Sequence, residues 1–262
     1  MTRTLRRAAF VLASIALLAA AGCATRPVPS PSPVPPPSEA DLRTAVSACH
    51  GGRENFTGRA RIRVRGVDGT AALRGWITVR FPESIRLEVQ DPIGRPTFFA
   101  VVDGGVLRVF DAAGQAYYRG PATAANVDRF LKIDLEPAWA ARILTGVAAR
   151  GVAWEPSGGP SGRDPFVART TDAPPWSLTL GRDGARVTRA ERAADGASGF
   201  VAEFSDFAGE RGCDFPRTIH ARAVASGAEI DMIYGSVEWD RPLPPDFFVL
   251  PVPEGVRVVE LP

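Results

Sequence analysis

The sequence predicts a mainly β protein of the α+β class, a half-open antiparallel β-barrel with a helical lid or plug. Three observations carry that expectation. Apolar and polar residues alternate through a long series of short segments separated by Gly, Pro, Asp and Ser turns. The period becomes helical at one place in mid-chain, between Pro121 and Val147. A twisted antiparallel sheet of that many strands must curl to cover its apolar face, and the mid-chain helices are the available plug. The 262 residues, 45% hydrophobic and 23% charged, suit one folded domain and exclude a disordered chain, a collagen or a multispanning membrane protein.

The first 22 residues stand apart. Arg3, Arg6 and Arg7 precede an apolar run from Ala8 to Leu18, and the small residues Ala19 to Gly22 lead to Cys23. That order reads as a secretory signal peptide, with an apolar run shorter than the ~20 residues needed to cross a bilayer. Three of the 31 basic residues and none of the 29 acidic ones lie there, so the remainder holds 28 basic against 29 acidic groups. A near-neutral body lacks the clustered positive charge that nucleic-acid binding needs. Two His and three Cys furnish no Cys-rich zinc site, and neither metal nor cofactor is expected. Residues 24–38, ATRPVPSPSPVPPPS, hold seven prolines. Proline fixes φ and removes the backbone donor, so this stretch is expected to be an extended tether of roughly 45 Å at ~3.1 Å per residue. The expected organisation is a leader over 1–22, a tether over 23–38 and a single domain over 39–262.

Ser38 with Asp41 caps a short helix whose Leu42, Ala45, Val46 and Cys49 share a face and which Gly51-Gly52 ends. Ala60, Ile62 and Val64 then alternate with Arg59, Arg61, Arg63 and Arg65. Ala71 to Phe81 and Ile85 to Val89 continue the period of two, with turns at 66–69 and at Pro82-Glu83. Thr97 to Val102 and Val106 to Asp111 flank the tight-turn signal Asp103-Gly104-Gly105, and Gln115 to Arg119 returns. Pro121 opens a helix carrying Val127, Phe130 and Leu131 on one face, and Pro137 opens another with Trp139, Ile143, Leu144 and Val147. A Gly/Pro/Ser-rich loop spans Glu155 to Arg163. Strands follow over Pro165–Thr170, Trp176–Leu180, Ala185–Arg192, Phe200–Phe204, Thr218–Ala225 and Glu229–Trp239, before a Pro-broken apolar end.

Such a curled sheet encloses an apolar space. Its candidate lining is Trp76, Phe98, Phe99, Val101, Phe110, Trp139, Ile143 and Leu144, residues that a packed core would equally use. Phe98 and Phe99 point to opposite faces of one strand, so both faces are covered there or one meets a ligand. The row of four Arg from Arg59 to Arg65 reads as a solvated strand face, with attraction of anionic head groups as the alternative. No catalytic residue is expected. His50 and His220 are the only His, no G-x-S-x-G or H-E-x-x-H motif occurs, and no base has a nameable positioned partner.

Two resemblances sharpen these expectations. Ala20-Ala21-Gly22-Cys23 resembles the lipobox of bacterial lipoproteins, with Ala20 where Leu is usual. That implies cleavage of the leader before Cys23 and acylation of its thiol and new amine; Ala24 at the following position implies the outer membrane. Helix, long meander, two helices and further strands resemble the LolA/LolB lipoprotein-localisation fold. The likeness covers most of residues 56–147, its most specific run being Val89 to Gly94, with further matches at Val109–Asp111, Gly114–Tyr118 and Phe130–Gly146. The neighbouring LolB-like lipoproteins of the DUF4292 type share its PxG loop. The resemblance implies an outer-membrane-anchored, periplasm-facing monomer that receives acylated cargo, lipoprotein or lipid, from a periplasmic LolA-like carrier, with Pro92, Ile93 and Gly94 as the loop meeting the membrane. An apolar turn residue folded back on the domain is the alternative for Ile93, and a structural lipoprotein of the envelope is the alternative function. With Cys23 acylated, Cys49 and Cys213 remain; an oxidising compartment favours a disulfide, and a buried free thiol at Cys49 is the alternative.

Overall fold

A computed structural model describes residues 38–262 except 67–68, 92, 133, 159–165, 182–185, 193–198 and 211–212; at Glu39, Ser47, His50, residues 156–158, Glu210 and Cys213 only the backbone is described. The leader, Cys23, the tether and Pro92 of the loop therefore lie outside the described residues. Helix α1 (Glu39–His50) starts where capping chemistry places it: the Asp41 N–H donates to Ser38 Oγ at 3.2 Å, and Asp41 Oδ2 accepts from Ser38 N–H at 3.0 Å. These bonds hold the Asp41 carboxyl below its ordinary pKa. The helix buries Leu42 and Val46, and Cys49 is disulfide-bonded, while the side chain of Cys213 is not among those described.

Six antiparallel strands follow as a meander: β1 (Asn55–Gly66), β2 (Gly69–Arg80), β3 (Ser84–Gln90), β4 (Pro96–Asp103), β5 (Val106–Asp111) and β6 (Ala116–Pro121). Pro121 ends β6 rather than opening a helix. The start of α2 (Ala124–Leu131) belongs to Thr123, whose Oγ1 accepts from the Asn126 N–H at 3.2 Å, a donor that Pro121 lacks the side chain to satisfy. Helix α3 (Pro137–Thr145) does begin at its proline, where a missing N–H costs nothing. It stops at Gly146, in the left-handed region at φ 68°, where an added Cβ would collide with the ring of Pro216.

A second meander comprises β7 (Trp154–Gly158), β8 (Phe166–Thr170), β9 (Trp176–Leu180), β10 (Val187–Arg192), β11 (Phe200–Glu210), β12 (Cys213–Ala223) and β13 (Glu229–Trp239). β13 returns to pair with β1, from Phe56 opposite Trp239 to Arg65 opposite Glu229, with a bulge at Arg59/Ala60. This one long-range pairing fuses the meanders into a single sheet of order β14-β6-β5-β4-β3-β2-β1-β13-β12-β11-β10-β9-β8-β7. The sheet does not close, since β14 and β7 are its two edges. The concave face buries the main core, from Leu42, Phe56 and Ile77 to Leu178, Phe200 and Ile219, with α3 packed inside it.

Three further features depart from the sequence expectations. β7 lies within the segment expected to be loop, because Trp154 is buried and its neighbours pair with β8 despite the prolines around them. β11 runs six residues beyond Phe204, through an irregularity at Asp206 in the left-handed region, φ 53°. The Pro-broken end crosses the outer face of the sheet, where Phe248 and Leu250 bury Val101 and Tyr117 in a second core, and then adds β14 (Arg257–Glu260) parallel to β6. The strap is fixed by polar bonds too, Tyr117 Oη donating to the Leu250 carbonyl at 2.7 Å and Arg86 Nη1 to that of Phe247 at 2.8 Å.

Candidate functional site

The inward set of β1 to β4, namely Ile62 and Val64, Leu73 and Ile77, Ile85, Leu87 and Val89, and Phe98, forms the floor of an apolar cavity of about 340 Å³. Ile230 and Met232 of β13 continue it, Phe130 and Leu131 of α2 and Leu144 of α3 roof it, and Thr97, Asp111 and Ala113 stand at one end. Period two explains the floor: each strand gives its alternate apolar residues to the concave side, and curling brings five strands around one space. The volume falls in the ~300–1,000 Å³ range of small-molecule sites. Among the described residues no group of three or more His, Cys, Asp or Glu is placed to hold a metal, and no helix is long and apolar enough to cross a membrane.

The two roof helices are held unequally. Trp139 of α3 stacks on Trp176 of β9 at 4.1 Å between centroids and 16° between planes, and Tyr234 Oη donates to the Leu144 carbonyl at 2.6 Å. Both aromatic anchors are buried, and burial pushes the Tyr234 hydroxyl far above its ordinary pKa. Helix α2 is shorter and sinks only Asn126 and Val127, while Phe130 and Leu131 over the cavity stay half-buried. The linker between the helices is pinned by buried Arg192 of β10, whose Nη2 donates to the carbonyl of Asp134 at 2.6 Å and to its carboxylate at 3.0 Å. Helix α2 is held by Asn126 Nδ2, which donates to the carbonyls of Pro121 and Pro262 at 2.9 Å, and by Phe130 against Tyr118, and with fewer buried residues it has less to lose on opening than α3.

Of the eight expected lining residues, Phe98 and Leu144 reach the cavity. Trp139 and Ile143 are on the concave side but locked into the main core. Phe99, Val101 and Phe110 lie on the outer face, under the C-terminal strap, where Phe99 and Phe110 stack at 6.4 Å. Trp76 is also outward, beside Thr57, Thr78, Arg86 and Phe247 in a shallow pocket. Strand parity separates these positions: Phe99 and Val101 fall on the face opposite Phe98, whereas Ile62, Val64, Leu73, Ile77, Leu87, Val89 and Met232 share the concave face. Phe98 faces the open cavity, and Phe99 is covered by the C-terminal strap.

Ile93 is 75% exposed at the tip of the turn between β3 and β4. Asp91 holds that turn, its Oδ1 accepting from the Ile93 N–H at 3.0 Å and the Arg95 N–H at 2.8 Å, while its Oδ2 accepts from Arg95 Nε at 2.8 Å. Partial burial alone would raise the Asp91 pKa, and the Arg95 and Ile93 bonds outweigh it to bring the value below normal. Ile93 does not fold back on the domain; it projects from a turn held by Asp91.

An open antiparallel barrel with an apolar interior roofed by two helices defines the class of this protein. The same fold is seen in solved structures. A LolA superfamily protein from Nitrosomonas europaea superposes with a TM-score of 0.58 at 16% identity, over 80% of this chain and 96% of that one. A DUF1329 family protein from Desulfovibrio piger gives 0.59 at 12% identity, over 79% and 94%. A domain from Vibrio parahaemolyticus assigned to outer-membrane lipoprotein sorting gives 0.55 at 10%, over 79% and 94%. At such identities the likeness is one of fold. No protein-family model matches the chain, and no curated protein matches it in sequence.

Proposed function

We propose that this protein is an outer-membrane-anchored lipoprotein, acylated at Cys23, that takes an acyl chain of its cargo into the apolar cavity and passes it to the membrane. The observation that carries the reading is the unfilled space of about 340 Å³ whose walls are almost wholly apolar. A buried methylene contributes ~0.8 kcal/mol, so about eight of them supply roughly 6 kcal/mol, enough to compete with another carrier. No covalent step or cofactor is required; opening of α2 sets the exchange rate. The projecting Ile93 turn serves delivery as in LolB-like proteins, and a periplasmic LolA-like carrier is the donor. The sorting assignment of the Vibrio parahaemolyticus domain supports this reading. The cargo is a lipoprotein or a lipid, since acyl-chain burial is the same chemistry for both.

Native mass spectrometry of the purified chain lacking the leader and Cys23 tests the proposal. Co-purified lipid, or uptake of a diacylated lipopeptide in stoichiometric amount, is expected. A protein that stays ligand-free and ignores the lipopeptide is instead a structural lipoprotein of the envelope.

A further inference from the structure

The outer face of β1 and β2 carries a charge arrangement that packing leaves unexplained. Arg61 stands directly opposite Arg74 in the β1–β2 register, and Arg59 opposite Trp76. On its other side Arg61 faces Ile233, which is 41% exposed, and Arg74 faces Gln90. Like charges directly opposed across an antiparallel pair repel, and here no acid occupies the flanking register positions. Elsewhere this face is charge-matched across strands: Arg189 meets Glu203 at 2.5 Å, and Arg65 meets Asp231 at 2.9 Å. Among the described residues Arg61 and Arg74 have no ion-pair partner, whereas Arg63 stands opposite Asp231 in the β1–β13 register and helps hold that carboxyl below its ordinary pKa.

Their position adds a second observation. Arg74 pairs with the last residue of β3, so the patch lies toward the end of the sheet that carries the Ile93 turn. The cavity reaches the same end, at Val64, Leu73, Val89 and Thr97. Unneutralised guanidinium groups therefore stand beside the most exposed apolar side chain and beside the approach to the cavity.

We propose that this face docks on an anionic phospholipid bilayer, with Arg61 and Arg74 on headgroup phosphates and Ile93 in the apolar layer beneath. Guanidinium forks match phosphate oxygens and keep their charge at every physiological pH. A basic patch with exposed apolar residues is the combination that binds an anionic lipid surface, and an acidic protein would offer Ile93 no such layer. The inference rests on the delivery reading above and names the surface that meets the receiving membrane.

Residues 36–262 form one compact unit holding both cores and all described strands and helices, so this unit serves for the test without leader or acyl anchor. It is co-sedimented with vesicles of phosphatidylglycerol and phosphatidylethanolamine, and with vesicles of phosphatidylcholine alone. The expected result is salt-sensitive binding to the first and weak binding to the second. Arg61→Gln/Arg74→Gln lowers the anionic-vesicle partition coefficient roughly 25-fold, about five-fold per guanidinium, and Arg61→Lys/Arg74→Lys retains most of it. Relieving a like-charge pair leaves the thermal midpoint unchanged or raised, so a misfolded variant is recognised independently. An unchanged partition coefficient in the Gln variant, or equal binding to phosphatidylcholine, overturns the proposal. Uptake of a fluorescent fatty acid by the same unit separates the two readings: anionic-vesicle binding that depends on the Arg pair, without acyl uptake, sustains this surface and sinks the carrier.

Discussion

Replacing Val64 by Phe distinguishes a hollow interior from a packed one by the sign of a stability change. Val64 is half-buried on β1, lines the cavity of about 340 Å³, and faces Ala71 on one neighbour and Ile230 on the other. A ring in that space buries roughly 60 Å² of additional apolar surface, worth about 1.5 kcal/mol at ~25 cal/mol per Å². Restricting its rotamers costs about 0.5 kcal/mol, leaving a gain of about 1 kcal/mol. Were the site already filled, overpacking would instead cost ~1–3 kcal/mol. The assay is urea unfolding of residues 36–262 with and without the substitution, read as a midpoint shift at constant m, alongside uptake of a fluorescent fatty acid. Higher stability with reduced uptake is expected. A loss of about 1 kcal/mol at unchanged m would refute the existence of usable space, and full uptake by the stabilised variant would refute its identity as the acyl site.

Three further outcomes follow from the same packing. Trp176→Ala removes the ring on which Trp139 rests and should cost ~3–5 kcal/mol in chemical denaturation; a cost below ~1 kcal/mol would mean that this stack does not hold α3. Tyr234 has a folded-state pKa raised by burial, whereas an unfolded tyrosine ionises near ~10. Its contribution is therefore complete below pH ~10 and is lost above it, by up to ~1.4 kcal/mol per pH unit; Tyr234→Phe should abolish that slope and cost ~1–2 kcal/mol at neutral pH through the lost bond to Leu144, and identical alkaline unfolding of the two chains would contradict the assignment. Ile93→Glu, at a side chain with little to lose on the surface, should slow transfer of an acylated cargo to liposomes without shifting the thermal midpoint, and an unchanged transfer rate would remove the turn from delivery.

Much of the architecture is legible in local sequence because its causes are local. Alternation in Ala60–Arg65, the Asp103-Gly104-Gly105 turn, the Ser38–Asp41 cap and Pro137 at a helix start each act within a few residues, and each appears in the structure where those signals place it. Pro121 misled because a proline that can open a helix can equally end an edge-proximal strand, and the hydroxyl two residues later decides between them. β7 was hidden for a related reason: its composition is that of a loop, and its pairing is decided by β8.

The candidate site is legible only in part. Strand parity places Ile62, Val64, Leu73 and Leu87 on one face, but whether that face meets a helix, a ligand or another strand depends on how far the sheet curls. Large aromatics suggested a lining and proved to be anchors instead: Trp139 stacks on Trp176, and Phe99 and Phe110 stack under the strap. Arg192 gave no signal at all, since its partner Asp134 lies 58 positions away.

By itself, the amino-acid order determined the strand series apart from β7 and β14, the two mid-chain helices and the turn that carries Ile93, since period, capping and turn chemistry are properties of neighbouring residues. Only the tertiary structure decided that β13 returns to β1, that the C-terminal strap covers the outer aromatics, and that an apolar space remains beneath α2. These depend on which distant surfaces meet as the sheet curls, and a hollow is the volume that no side chain reaches, a quantity set by all the walls together.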